Sequence, residues 1–550
     1  MNFIQHETEQ KLRGGFYTAA PIAAFLARWV GGCSPRSVLE PSCGDGAFLE
    51  ALDGAGIASL ERVTACEIDA QEAEKARHRT NLPVDLLHTD FLRWYLFEAR
   101  GREGFDAIVG NPPFIRYQYL AEEQQNLAAK MFSLLGLAFT KHTNAWVPFV
   151  LASVNLLRPG GRIAMVVPSE ILHIPHAESL RQYLSAQCSR IVLFDPEEIW
   201  FDDTLQGTVL LLAEKKRQRS EKTVGIAVQP VRNQLLLQED PEDCFERASF
   251  TNGEATRGKW MPLLLSAKER QVLFTVRQDP AIRVFRDIAS VDVGIVTGAN
   301  KFFLVPDSIV AEFDLAAWAH PMFGRSEHVR GLVFAKEDHE ANKRAGLPAN
   351  FLWFQEECLE SLPANVRQYL DLGESQDLPS RFKCRSRRPW YKVPSVHTAP
   401  VAMLKRAHHY PRLVLNLAQA YTTDTAYRIT PLGVDATSLV FSFVNSLTCL
   451  AAEMEGRHYG GGVLELVPSE IERLLVPLVP ASASDLSSAD ARFRSTSDAP
   501  ALVRAQDALI LGPMGLGKDV QDALHSAWLR LRDRRQRTTA AEPGVEEPAA

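Results

Sequence analysis

The chain predicts an α/β fold, an open and mostly parallel sheet covered by helices on both faces, followed by an α+β domain. Three observations carry this expectation. From about residue 36 to 215, short apolar, β-branched runs alternate with amphipathic segments; Pro and Gly punctuate their ends; and the rhythm stops near residue 245. Taken in order, SVLEP (37–41), RVTACEI (62–68), DLLHTD (85–90), FDAIVGN (105–111), GRIAMVVP (161–168), RIVLFD (190–195) and GTVLLLAEK (207–215) read as strands. Between them GAFLEALDGAG (46–56), AQEAEKARHRT (70–80), AWVPFVLASVNLLRPGG (145–161) and AESLRQYLSAQC (177–188) read as helices. The last two strands have no helical pattern between them, so they are expected to form an antiparallel hairpin at the sheet edge.

Length and composition set the frame. At roughly 100–200 residues per domain, 550 residues imply two to four domains, and 46% hydrophobic residues supply a substantial core. The expected division is a first domain over 1–245, a second over 246–480, a linker and helical segment over 481–537, and a disordered tail over 538–550. The linker rests on PASASDLSSADARFRSTSDAP (480–500), which is poor in large apolar residues. Sixty basic against sixty-seven acidic side chains give a net charge of −7, which excludes a histone-like basic coat but not a local basic face. Eight cysteines without a CxxC pair, and no His pair at zinc spacing, read as reduced thiols with no metal site. The first fifteen residues lack a signal-peptide pattern and no run reaches the length of a membrane span, so a soluble cytoplasmic protein is expected.

The first strand runs into EPSCGDGAF (40–48), a turn carrying Glu40, Pro41, Gly44 and Gly46 ahead of a helix. Such a turn admits a ligand close to backbone, but Leu49 stands where a dinucleotide fingerprint has its third glycine. Glu67 ends the second strand about 20 residues on, placed to accept ribose hydroxyls, and Asp90 ends the third, placed to accept from an adenine amino group. Ile68, Phe91 and Pro113 are expected to pack on the adenine faces. With no basic phosphate cradle at the turn, the pattern favours S-adenosylmethionine over a dinucleotide.

The fourth strand ends in IVGNPPF (108–114). Two prolines fix two φ angles and remove two donors, so the backbone after Asn111 is stiff and offers carbonyls. A planar exocyclic amine placed there can donate to the Asn111 side-chain oxygen and the Pro112 carbonyl, which aims its nitrogen lone pair at a sulfonium methyl. Phe114 would stack on the attached ring, a contact of about 1–3 kcal/mol per base. No metal is needed, because positioning and electrostatics supply the catalysis.

These motifs, in the order GGFYTAAPIAAFL (14–26), EPSCGDG and NPPF, resemble the gamma-class S-adenosylmethionine-dependent DNA adenine-N6 methyltransferases, the TaqI methylase and its relatives. The likeness implies a class I, Rossmann-like methyltransferase domain. It adds Thr18 and Glu40 to the cofactor residues and assigns the amine to Asn111, Pro112 and Phe114. It also places an aromatic clamp for the extruded base at Phe201, with Trp200 as the alternative. Two departures stand out: Phe114 replaces a common Tyr, and TAAP (18–21) replaces the usual Thr-Pro. A buried amine must be flipped from its duplex to reach such a site.

In the second domain, Arg381 to Arg412 contains nine Lys or Arg and no Asp or Glu. Here Arg381, Lys383, Arg385, Arg387, Arg388, Lys392, Lys405 and Arg406, with the interleaved Trp390 and Tyr391, are expected to meet double-stranded DNA. The resemblance points to a target-recognition domain, since VDVGIVTGANKFFLV (291–305), RRPWYKV (387–393) and GRHYGGGVLELVPSEIERLLVP (456–477) are similar to pieces of such domains. GPMGLGKD (512–519) falls short of a phosphate-binding loop because Asp519 replaces the hydroxyl, and it reads as a turn between helices.

The expected function is therefore site-specific methylation of adenine N6 in duplex DNA, as the modification part of a restriction–modification system. A cognate restriction endonuclease is the candidate protein partner, and a monomer suits a domain pair that clasps DNA. Two other readings share these features: a protein-glutamine or rRNA N-methyltransferase using the same corner, and a DNA-binding specificity subunit of a restriction complex.

Overall fold

The computed structural model describes residues 18–200, 207–253 and 256–537. They form two compact units, one running to Ser266 and including Arg537, the other spanning Ala267–Gln536.

In the first unit the described residues build an eight-stranded sheet from β1 (Ser37–Glu40), β2 (Arg62–Glu67), β3 (Val84–His88), β4 (Phe105–Gly110), β5 (Leu157–Pro168), β6 (Cys188–Pro196), β7 (Thr208–Lys215) and β8 (Gly225–Val231), in the order β3-β2-β1-β4-β5-β7-β6-β8. The first five strands run parallel, β7 is antiparallel to both β5 and β6, and β8 is parallel to β6. The expected hairpin of β6 and β7 lies toward this edge, and β8 adds one strand outside it. Strand order reverses between β1 and β4, and that reversal leaves a crevice at their carboxyl ends, where open α/β sheets bind ligands.

Burial follows position in the sheet. β1 is buried throughout and β7 through six consecutive residues, as strands covered on both faces must be, whereas edge strand β3 has no fully buried residue and leaves Asp85 and His88 exposed. Helices α1 (Ala20–Gly31), α2 (Ala47–Gly54), α3 (Ala70–Arg77), α4 (Glu122–Leu134), α5 (Trp146–Leu156) and α6 (Glu178–Gln187) cover the sheet. In α1, Ile22, Phe25, Leu26, Trp29 and Val30 recur at helical spacing and are all buried. Arg162 on β5 fastens α1 to the sheet: it donates to the Trp29 carbonyl (3.1 Å), forks onto Glu242 (2.6 and 2.8 Å), and sits 4.8 Å from the Trp29 ring. The helix expected to continue to 161 stops at Leu156, because Pro159 cannot donate the next helical hydrogen bond.

The second unit holds a five-stranded sheet, in the order Ala289–Val293, Ala426–Pro431, Val401–Leu404, Leu413–Asn416, Val333–Phe334. A separate apolar core contains Phe302, Phe303, Phe354, Tyr369 and Tyr391. The stretch expected as a linker is instead helix Ala483–Ser495, capped by Ser482 and Asp485, with Leu486, Ala489 and Phe493 buried. Three apolar residues at i, i+3 and i+7 suffice to seat a helix that composition alone marks as a linker. Residues 512–517 do form a turn, between helices Ala499–Ile510 and Lys518–Gln536. Residues 538–550, expected to be disordered, lie outside the described residues. Among the described residues no single helix is long and apolar enough to cross a membrane. The apolar pair Ala436–Phe443 and Ser446–Glu455 is bent by 77°.

Candidate active site

The carboxyl ends of β1, β2 and β4 bring the predicted motifs together. After β1 the turn climbs through Gly44 (φ +52°) and Gly46 (φ +92°) into α2. A Cβ on Gly46 would lie 2.9 Å from the Ala76 Cα of α3, whereas one on Gly44 would meet nothing within 4 Å. One glycine therefore serves packing, and the other keeps space open beside the loop.

Glu67, at the end of β2, accepts from the Gly44 N–H and the Asp69 N–H, both at 2.8 Å. A carboxylate has about four acceptor positions, so capacity for two hydroxyl donors remains. Ile68 beside it is 58% exposed. Asp90 caps the short helix Phe91–Trp94 through the Arg93 N–H (3.0 Å) and accepts from the Gln124 amide (3.3 Å). Phe91 departs from the expected adenine wall: its ring is 2% exposed and packs on Phe149 at 5.1 Å. Phe91, Leu92 and Trp94 are all buried in this turn and only Arg93 faces solvent, so the ring packs inward with its neighbours, a face that the sequence does not distinguish.

Glu40 is fully buried and neither of its oxygens has a hydrogen-bond partner among the described residues. Burial first, then the Glu67 and Asp45 carboxylates, push its pKa well above the usual carboxylate range. A buried carboxyl in this condition awaits a cation. S-adenosylmethionine carries an ammonium and a sulfonium, so the open Gly44 turn, the spare acceptors on Glu67 and the orphaned Glu40 fit that group together.

Across from this turn, Asn111 leaves β4 into Pro112, Pro113 and Phe114. The Asn111 amide donates to the Thr18 hydroxyl (3.2 Å), and the Ser42 hydroxyl donates to the Asn111 carbonyl (3.1 Å). Thr18 thus fixes which way the Asn111 amide faces, and Ser42 ties the two motifs to each other. Pro112 is buried, Pro113 is half-buried, and half-buried Phe114 packs against the edge of the sheet core. Trp200 is 6% exposed and belongs to that core, so its ring is committed there; Phe201 lies outside the described residues.

One group escaped the sequence reading. Glu170 follows the carboxyl end of β5, is buried, and accepts from the Asn144 amide at 3.2 Å. Burial pushes its carboxyl up to about 7, against the lowering influence of Arg116 and the Asn144 hydrogen bond. The available signal was an acid in the otherwise apolar string VVPSEIL (166–172), one turn past a strand end.

In the second unit the basic stripe separates into classes. Arg381, Lys383, Arg385 and Arg388 are exposed. Arg387 instead donates to the Val296 and Thr297 carbonyls (2.7 Å each), Lys392 pairs with Glu357 (2.6 Å), and Lys405 and Arg406 both pair with Glu465 (3.3 and 2.8 Å). Trp390 packs 5.5 Å from the Phe302 ring and donates to Glu374, while Tyr391 is buried. These six side chains have partners or burial within the unit that a local charge count does not show, while the Arg406 side chain stays 68% exposed.

Residues 57–200 match the family described as Eco57I restriction-modification methylase, and residues 257–511 match the C-terminal domain of the type II methyltransferase M.Eco57I. The chain is 24% identical to the type II methyltransferase M.AccI of Acinetobacter calcoaceticus, over 83% of this chain and 84% of that one. It is 23% identical to M.XamI of Xanthomonas campestris pv. amaranthicola, over 84% and 85%. Among solved structures, the type IIG restriction endonuclease BpuSI aligns over 95% of this chain and 66% of that chain, with a TM-score of 0.42 and 13% identity. With both halves matched in order, the chain is similar along most of its length to Eco57I-type restriction-modification methylases, and it is a DNA methyltransferase of class I fold that uses S-adenosylmethionine.

Proposed function

We propose that the chain methylates the N6 amine of an adenine flipped out of duplex DNA, at a specific site, as the modification enzyme of a restriction–modification system. The observation that carries this reading is the Asn111-Pro112-Pro113-Phe114 corner, held by Thr18 and Ser42 beside the buried carboxyl of Glu40.

S-adenosylmethionine supplies a methyl group already activated on a sulfonium. Glu40 would hold its positive end, Glu67 its ribose hydroxyls and Asp90 its adenine amine, with Pro41, Ile68 and Pro113 lining the pocket. Because Thr18 engages the Asn111 NH2, the Asn111 Oδ1 is the atom offered to the substrate. That oxygen and the Pro112 carbonyl accept the two N–H bonds of the target amine. This pulls the nitrogen lone pair out of conjugation with the ring, and Phe114 stacks on the base. Buried acceptors of this kind are preorganised, so little reorganisation is needed at the moment of transfer.

Exposed Arg381, Lys383, Arg385 and Arg388 would contact phosphates. The protein acts as a cytoplasmic monomer alongside a cognate endonuclease. Incubation with methyl-labelled S-adenosylmethionine and duplex DNA, followed by nucleoside analysis, tests the reading. N6-methyladenine supports it; label confined to cytosine, RNA or protein refutes it.

A further inference from the structure

Phe382 is the most exposed large apolar side chain of the second unit, 70% open, and it sits in the middle of the exposed cations. The segment is a tight turn and not a loose loop: the Arg385 N–H donates to the Arg381 carbonyl (2.9 Å) and the Arg387 N–H to the Cys384 carbonyl (3.0 Å). Its inner side is anchored. Cys384 is fully buried against the Thr297 carbonyl, and the Arg387 guanidinium grips the carbonyls of Val296 and Thr297. Its outer side presents Arg381, Phe382, Lys383, Arg385 and Arg388. Lys383 Nζ and Arg385 Cζ lie 5.5 and 5.3 Å from the Phe382 ring centroid. Among the described residues, Arg381, Lys383 and Arg385 make no ion pair with a carboxylate.

We propose that Phe382 is a wedge that inserts between adjacent base pairs of the DNA while Arg381, Lys383 and Arg385 hold the flanking phosphates. This rests on the DNA-methylation reading and extends it to a base-contacting residue in the second unit. A duplex offers stacked aromatic faces within a few ångströms of two rows of phosphates, the arrangement that a ring ringed by cations complements. Side chains that unstack a base step do so from a rigid support, since a mobile ring would lose the stacking gain to ordering. The anchored turn provides that support. The cation–π contacts from Lys383 and Arg385 also keep the ring in water, without a hydrophobic partner, until DNA arrives.

The test uses the full chain and a duplex carrying the site mapped by the labelled-methyl experiment, with 2-aminopurine placed at successive positions other than the target base. The native protein should brighten one base step. Phe382→Ala should lose that signal and about tenfold in affinity, with the salt dependence unchanged. Phe382→Trp should restore both. Arg385→Ala should keep the signal and reduce the log–log salt slope by about 0.9. Cofactor titration should be the same in all variants. If Phe382→Ala keeps both signal and affinity, or if its loss appears on anionic vesicles and not on DNA, the wedge is overturned. If the native protein methylates no DNA, the underlying reading fails instead.

Discussion

Replacing each glycine of the turn after β1 by alanine separates packing from ligand space. At Gly46 (φ +92°) the new Cβ would stand 2.9 Å from the Ala76 Cα and 3.3 Å from its carbonyl oxygen, both backbone atoms that cannot swing aside. Backbone strain at such a φ costs about 1–3 kcal/mol, and overpacking a close helix contact adds about 1–3 kcal/mol. Gly46→Ala should therefore lower stability by about 2–6 kcal/mol, which for a unit of this size is roughly 5–20 °C in Tm. At Gly44 (φ +52°) the new Cβ meets nothing, so the expected loss is the left-handed backbone strain of about 1–2 kcal/mol. Its methyl group would occupy the space proposed for the cofactor. Thermal melts paired with calorimetric titration of S-adenosylmethionine at a temperature where both variants are folded provide the assay. Gly46→Ala should bind like the native protein but melt early; Gly44→Ala should melt within a few degrees of native but bind at least tenfold more weakly. The opposite pattern would refute the assignment of the open side of the turn to the cofactor.

Other expected outcomes follow from the same geometry. Asn111→Ala should lower the rate of methyl transfer by about 10²–10³ with cofactor affinity unchanged; Thr18→Val, which frees the Asn111 amide, should lower the rate less, and equal rates in single-turnover assays would remove Thr18 as the orienting group. Glu170 has its folded pKa raised from 4.5 to about 7, so its stabilising contribution is present below pH 4.5 and lost as pH rises through about 7. Glu170→Gln should consequently be more stable than the native protein above pH 7, by on the order of 3 kcal/mol, and little different near pH 5; melts at pH 5 and 8 decide it. Arg162→Met removes the fork onto Glu242 and the pair with Glu214 and should cost about 3–5 kcal/mol, read by denaturant titration; a loss under about 1 kcal/mol would show the fork to be a surface pair in energetic terms.

The legible part of this protein is local in physical origin. Apolar runs such as FDAIVG and TVLLLA must be strands buried on both faces, and the Gly-x-Gly turn and Asn-Pro-Pro corner restrict backbone whatever surrounds them. The linker expected at 480–500 failed for a related reason: composition reports average polarity, while three well-spaced apolar residues, Leu486, Ala489 and Phe493, are enough to dock a helix.

From the residues alone came the α/β alternation, the acids at successive strand ends and the stiff Asn-Pro-Pro corner. Tertiary structure alone decided that Phe91 turns inward, that Glu40 is sealed from water, and that Glu170 stands near the same sheet rim. It also decided that Glu357 and Glu465 neutralise part of the basic stripe while Phe382 remains in solvent. The reason is physical: hydrogen-bonding capacity and backbone stiffness belong to a residue, but burial and electrostatic partnership depend on groups dozens to hundreds of positions away, which only the packed chain brings within a few ångströms.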